Sequence, residues 1–281
     1  MRSLSTTARL VLTAMLAAAA SGLSGCTSFR DVFIDANQDL ARAADGFAGR
    51  KQSDPVVIYD TTGPVEIDVD LFAGDVTVRV DPDLDGTEVR LTKRATFGRG
   101  RGDEALGSIE SISATSRVVP GRFGQRLEVR ATSAHPEDYQ QRVNVTILTP
   151  GIDGLSIRTG RGRISARDAA GPIELFSGQG RIRLTTKEVL LDEVTIVTNS
   201  GDVDLRAAIG TAGVLDFEAV RGRVQHEVDE GRVIVRRGTG PGRLDATVGD
   251  RDTRFTLRAA DGDVRFAVVE RPNAVGRWII D

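Results

Sequence analysis

The chain has 281 residues, with 37 basic and 40 acidic side chains, a formal net charge of -3, 40% hydrophobic and 5% aromatic residues. That balance excludes a polytopic membrane protein and a nucleic-acid binder working through bulk positive charge. A single cysteine excludes a disulfide scaffold. Glycine is abundant, 31 residues against 9 prolines, so it is sought as punctuation between ordered segments rather than as collagen or linker.

At the N-terminus, Arg2 and Arg9 flank the start of an apolar run ending at Ala20, followed by Ser21, Gly22, Leu23, Ser24, Gly25 and Cys26, with no acidic residue. A cationic end, a short apolar core and small residues at the exit have the order of a secretory signal peptide over residues 1–25. The core is short for a membrane span. Leu23-Ser24-Gly25-Cys26 resembles the bacterial lipobox. The resemblance implies a diacylglyceryl group on the Cys26 thiol, cleavage before that residue, and further acylation with a fatty acid such as palmitate. Removing 25 of 281 residues leaves 256, with 35 basic and 40 acidic side chains. Several acyl chains, at about 0.8 kcal/mol per buried CH₂, make such an anchor effectively permanent. By resemblance to enterobacterial sorting rules, Thr27 after the cysteine implies the outer membrane. The expected location is therefore the cell envelope, lipid-anchored, on its periplasmic or surface side.

Residues 26–55 read as a tether. Phe29, Val32, Phe33, Leu40 and Ala44 approximate one face of a short helix, which the stretch from Gly46 to Pro55 breaks. Its charges are mainly acidic and would be repelled by anionic lipid, so it is expected to space the domain from the bilayer.

Residues 56–281 read as one all-β domain. Two early phrases, Gly63-Pro-Val-Glu-Ile and Gly74-Asp-Val-Thr-Val, are followed by longer alternating segments at 88–97, 109–119, 125–131 and 142–148, with a short helix expected near Asp103–Ser108. From residue 162 to 266 a phrase recurs in which glycine precedes Arg or Asp and then alternating apolar and polar residues. Its glycines are Gly162, Gly180, Gly201, Gly222, Gly242 and Gly262, at intervals of 18, 21, 21, 20 and 20 residues. Secondary copies begin near Gly171, Val194, Gly213, Gly231 and Thr253, so each repeat supplies two strands. Period-two alternation puts Ile164, Ile182, Val203, Val224, Leu244 and Val264 on a buried side and Ser165, Arg183, Asp204 and Asp245 on a wet one. A near-constant interval of about 20 residues with glycine corners predicts a β-solenoid, or β-helix-like repeat, whose coils bury their apolar sides by stacking. An antiparallel β-sandwich is the alternative, since short strands every 8–12 residues suit that class too. The C-terminal segment with Trp278, Ile279 and Ile280 is expected to cover one end of the stack.

The introductory strand pair, the segment Val143-Asn-Val-Thr-Ile-Leu-Thr-Pro150 with its proline-glycine turn, and the Gly-Asp-Val or Gly-Arg-Ile repeats together resemble a bacterial family of candidate adhesins over residues 57–268. The resemblance implies the repeat fold and contact with surfaces or polymers, and it supplies no catalytic residue. Here Gly-Arg is commoner than Gly-Asp, a departure from the usual phrase.

Chemistry-bearing residues are sparse. His135 and His226 have no partner at metal or triad spacing, and no GxGxxG, P-loop or HExxH phrase occurs. With Cys26 as the sole cysteine, the β domain has no thiol nucleophile or thiolate zinc site. Thr159-Gly160-Arg161-Gly162 leads into a strand and reads as a corner. Asp202, Asp204, Asp216, Asp245 and Asp263 are candidate outward acids, expected to pair with Arg181, Arg183, Arg223 and Arg243 on adjacent coils rather than to cleave polysaccharide. The gly-gly pairs and aspartate ladder of calcium β-rolls are missing around Gly162–Gly180. Arg90 to Arg101 is the most basic stretch, with five cations and no acid, and could touch an anionic envelope polymer or form a solvated loop.

The expectation is a non-enzymatic, lipid-anchored envelope protein presenting a repetitive β surface for adhesion or polymer binding, without cofactor or metal. Its partners would be the membrane, through Cys26, and envelope polysaccharide or protein, not nucleic acid. A periplasmic scaffold binding a protein partner is the second reading, and a polysaccharide-acting β-helix enzyme the third.

Overall fold

Alternation of β-branched and polar residues dictates strands with one buried and one outward face, and these strands assemble into two ten-stranded sheets. The computed structural model describes residues 50–61, 63–97, 101–122, 124–135, 140–236 and 238–273. The signal peptide, the lipobox, the tether before residue 50 and the Trp278 segment lie outside the described residues.

Numbered in chain order, the first sheet contains β1 (Arg50–Ser53), β2 (Val57–Tyr59), β4 (Val76–Val80), β5 (Thr87–Ala95), β8 (Gln141–Thr149), β10 (Ile164–Arg167), β12 (Ile182–Thr185), β14 (Val203–Ala208), β16 (Val224–Val228) and β20 (Val264–Val269). The second contains β3 (Val65–Leu71), β6 (Ile112–Pro120), β7 (Gln125–Ser133), β9 (Ile152–Thr159), β11 (Ala170–Gln179), β13 (Val194–Ser200), β15 (Gly213–Ala219), β17 (Val233–Val235), β18 (Arg243–Val248) and β19 (Arg254–Asp261). Among the described residues one helix, α1 (Gly102–Glu110), lies between β5 and β6 and buries Ala105 and Ile109 against Ala95. Strand β1 pairs with β5, so the end of the stretch expected as tether joins the sheet.

Six times the chain runs along the second sheet, turns at a glycine corner and continues along the first. These pairs are β3–β4, β9–β10, β11–β12, β13–β14, β15–β16 and β19–β20. Equivalent strands pair in parallel, in one register: Val76, Ile164, Ile182, Val203 and Val264 are successive neighbours in the first sheet. Leu155, Ile173, Val194, Phe255 and Leu215 do the same in the second. Both rows belong to one buried apolar cluster. Full burial of each such side chain stabilises the fold by roughly 1.5–3 kcal/mol. Near one end the rows widen into Phe217 and Phe255, each packed on Phe266 with ring centroids 5.2 and 6.1 Å away.

The class is all-β, and both sheets are mixed and open rather than closed into a barrel. Three features differ from a sequentially coiled repeat. First, β19 and β20 insert between β13–β14 and β15–β16, so the stacking order departs from chain order. The reason is that β18 pairs antiparallel with β15 on one edge and leaves the other edge to β19. Second, Gly242 and Leu244 do not join the column of the other repeats. Leu244 lies on β18 in the second sheet, opposite Phe217. Third, Asp204 has outward parity yet is only 2% exposed, beside Arg206 at 6%.

The corner glycines stack directly. Built on the backbone, a Cβ at Gly180 would lie 2.0 Å from the Gly162 carbonyl oxygen, and one at Gly162 would lie 2.0 Å from that of Gly74. The series continues through Gly201, Gly262 and Gly222, each against the carbonyl of the glycine before it in the stack. Those carbonyls also accept hydroxyl hydrogen bonds: Thr159 donates to Gly74, Ser177 to Gly162 and Thr198 to Gly180, at 3.2, 2.8 and 3.0 Å. This accounts for three otherwise unexpected buried hydroxyls.

Gly180→Ala is therefore expected to cost roughly 3 kcal/mol or more, because a positive φ of 148° and a backbone overlap act together. Gly107→Ala, in α1 where a Cβ meets nothing within 4 Å, is expected to stabilise by up to about 1 kcal/mol. Urea unfolding of both variants checks the contrast, and equal effects would contradict it.

Candidate binding faces

The residue after each corner glycine sets up an electrostatic ladder along the stack. Asp75 accepts the Arg163 amide at 2.8 Å and its own amide donates to Asn144 Oδ1 at 3.1 Å. Further along, Asp202 accepts the Asp263 amide at 3.1 Å, and Asp263 accepts the Arg223 amide at 3.0 Å. Arg181 closes on Asp202 at 2.7 Å. Burial pushes the Asp202 carboxyl up. The Asp263 amide and the Arg181 and Arg265 guanidinium groups outweigh that and hold it below the usual aspartate value. The mixture of Gly-Asp and Gly-Arg is thus structural: carboxylates of one strand pair cap amides of the next.

Every acid considered as a candidate for chemistry faces an arginine. Asp202 meets Arg181, Asp204 meets Arg183 and Arg206, Asp216 meets Arg258, Asp245 meets Arg236, and Asp263 meets Arg265. Arg181 and Arg183 pair with these acids as expected, Arg223 engages Asp263 through its amide, and Asp245 takes Arg236 as its partner. The five acids are divided between the two sheets: Asp202 and Asp263 share Arg265 with Asp204 nearby in the first, and Asp216 and Asp245 are register partners in the second. His135 follows β7 and His226 lies on β16, both exposed and remote in the strand order. Among the described residues no three His, Cys, Asp or Glu side chains group as a metal cage. The Thr159–Gly162 segment is the corner from β9 to β10.

The outward face of the second sheet is charge-compensated. Arg117 and Arg126 hold Glu128, Arg130 holds Asp68, Arg158 holds Glu174, and Arg258 holds Asp216 and Glu218. The Arg117 hydrogen bond is the main reason that the Glu128 carboxyl titrates below its ordinary range. Between these pairs lie the half-buried Phe176 and Val197, neighbours in register. A shallow cavity of about 420 Å³ opens where the register of β9 and β11 shifts, lined by residues including Glu66, Arg122, Asp153 and Glu193.

On the outward face of the first sheet a groove of about 320 Å³ runs between Asp75, Thr77, Arg163, Ser165, Arg181 and Arg183. Sequence periodicity placed Ser165 and Arg183 on this side, but the neighbours of each depend on the cross-coil register. The lipobox residues Leu23, Ser24, Gly25 and Cys26 lie outside the described residues. Of the corner glycines, Gly162, Gly180, Gly201, Gly222 and Gly262 line one edge of the stack, while Gly242 precedes β18 and approaches the Ala219 carbonyl.

No family model matches the chain, and no curated protein sequence matches it. Among solved structures, it is similar to a candidate cell adhesion protein from Clostridium sporogenes, with a TM-score of 0.51 and 10% identity over 78% of this chain and 99% of that one. A candidate adhesin from Bacteroides fragilis matches with a TM-score of 0.28 at 9% identity, over 77% of this chain and 96% of that one. A candidate lipid binding protein from Parabacteroides distasonis matches with a TM-score of 0.22 at 9% identity over the same shares. At these identities the likeness to the clostridial structure is one of fold.

Asp202→Asn should lower stability by about 1 kcal/mol at neutral pH, allowing for the partial exposure of the site. The folded carboxyl titrates below its unfolded value, so its contribution is present above the ordinary aspartate range and is lost as pH falls through the lowered folded value. Urea midpoints of the two proteins should converge as pH falls below the ordinary aspartate range; a constant gap at every pH would contradict the assignment.

Proposed function

We propose that this chain is a lipid-anchored protein of the cell envelope that presents its outward β faces for adhesion or polymer binding, without catalysis. In this reading the strand pairs act as coils of a β-solenoid whose last coil is inserted out of order, and Cys26 carries the acyl anchor. The observation that carries it is the pair of broad, repetitive outward faces, on a fold shared with a candidate cell adhesion protein. Their acids are tied to arginines along the stack, and none of the candidate acids breaks away to form an irregular cluster of the kind catalysis needs. Support for the anchor comes from Leu23-Ser24-Gly25-Cys26 behind a signal-like apolar run. The outer membrane is the proposed location.

A second reading, an envelope scaffold that binds a protein, is favoured by one observation. Val220, Ile234 and Val235 are 69%, 52% and 50% exposed, the last two on β17, a terminal strand of the second sheet.

Cys26→Ser is expected to move the chain from the membrane fraction to the soluble fraction and to abolish labelling by palmitate. Retention after carbonate washing would contradict the anchor. Protease treatment of intact cells is expected to digest the domain; protection until lysis would move the face to the periplasm and favour the scaffold.

A further inference from the structure

Most arginines of both outward faces hold carboxylates, on the first sheet Arg163, Arg181, Arg183 and Arg265. On the second sheet Arg117, Arg126, Arg130, Arg158 and Arg258 each hold a carboxylate. On the first sheet Arg79 of β4 and Arg167 of β10 are direct neighbours in register, both exposed. Among the described residues no carboxylate lies within ion-pair distance of Arg79, Arg90 or Arg167. Like charges on adjacent strands, about 4.8 Å apart, are unfavourable. Acids are not scarce, since the chain has 40 against 37 basic side chains. An uncompensated cationic patch on a net acidic chain is therefore a local feature rather than a consequence of composition.

The patch is also ordered. One row crosses five strands: Arg90 on β5, Thr146 on β8, Thr77 on β4, Ser165 on β10 and Arg183 on β12, each beside the next in register. Arg79 and Arg167 form the neighbouring row, two residues further along β4 and β10. Four strand spacings make the first row roughly 19 Å long, several sugar units in extent. Toward the corners it opens into the groove that Arg163 and Arg181 also line. Guanidinium groups bind carboxylates in a bidentate fork, and the three hydroxyls can both donate to and accept from sugar hydroxyls.

We propose that this face, from β5 to β12, binds an acidic polysaccharide, with Arg79, Arg90 and Arg167 on its carboxylates and Thr77, Thr146 and Ser165 on its hydroxyls. The inference rests on the polymer-binding reading above and adds the face and the ligand class. The first row contains no large apolar side chain, and the second continues through the half-buried Leu148 of β8 and Glu88 of β5 to the exposed Ile58 at the β2 edge, a single exposed aliphatic side chain that is too little for stable insertion into lipid. They contain no aromatic ring on which a base could stack. The basic sequence from Arg90 onward contributes through β5, with Arg90 itself facing the row.

The test is retention of the full chain in detergent by immobilised polygalacturonate, with dextran and phosphatidylglycerol-coated beads in parallel. The comparison is with the double variant Arg79→Gln/Arg167→Gln. Polygalacturonate should retain the chain and dextran should not, added salt should weaken retention, and the variant should bind about tenfold more weakly. Removing a like-charged pair should leave its thermal midpoint unchanged or raised, which separates lost binding from lost folding. Equal binding by the variant would overturn the inference, and so would preference for the lipid beads. Retention by dextran alone would overturn the ligand class while leaving polymer binding in place. Retention by none of the three would overturn both.

Discussion

The approach of one glycine corner to the next is the constraint on which the rest of the structure depends. With hydrogen in place of a side chain, Gly162, Gly180, Gly201 and Gly262 each let a carbonyl of the neighbouring coil come where a Cβ would stand. That distance brings the corner amides into hydrogen bonds: Gly162 donates to Gln179, Gly180 to Ser200 and Gly201 to Asp261, all at 2.7 Å. Parallel pairing in both sheets then follows at strand spacing, and with it the buried rows that include Ile164, Ile182 and Val203 on one side and Ile173 and Val194 on the other. No single residue carries the fold. A repeated backbone contact does, and the apolar rows stabilise it.

The same register decides the outward chemistry. Residues that face out at one position of the repeat become neighbours across paired strands, so a substitution in one strand changes the partner of a residue far away in sequence. Where acid and base alternate, as at Arg181 and Asp202 or Arg158 and Glu174, the face is neutralised. Where two coils both present arginine, as at Arg79 and Arg167, charge accumulates in rungs. A stacked fold can thus set charge-compensated stretches beside cationic ones.

Much of this was legible in the sequence, for physical reasons. Period-two alternation identified which side of β10, β12, β14 and β20 is buried, because burial of Ile164, Ile182, Val203 and Val264 needs only strand geometry. The added strands around 88–148 and the helix near Asp103 were visible through their own periodicity. The stacking order was not: the intervals to Gly242 and Gly262 are equal, and nothing local reveals that one precedes an antiparallel strand and the other an inserted coil. Leu244 was misplaced for that reason. Asp204 reads as wet because alternation reports parity and not cover. The uncompensated arginines were equally hidden, since Arg79 and Arg167 meet only through the pairing of β4 with β10.

Native-state hydrogen exchange tests the central claim most directly. If the stacked corners hold the fold together, the amides of Gly162, Gly180 and Gly201 exchange only through global unfolding, with the same protection as the core amides of Ile164, Ile182 and Val203. Rapid exchange at the corners, while the strand amides stay protected, would show that the apolar rows hold the stack alone and would contradict the account.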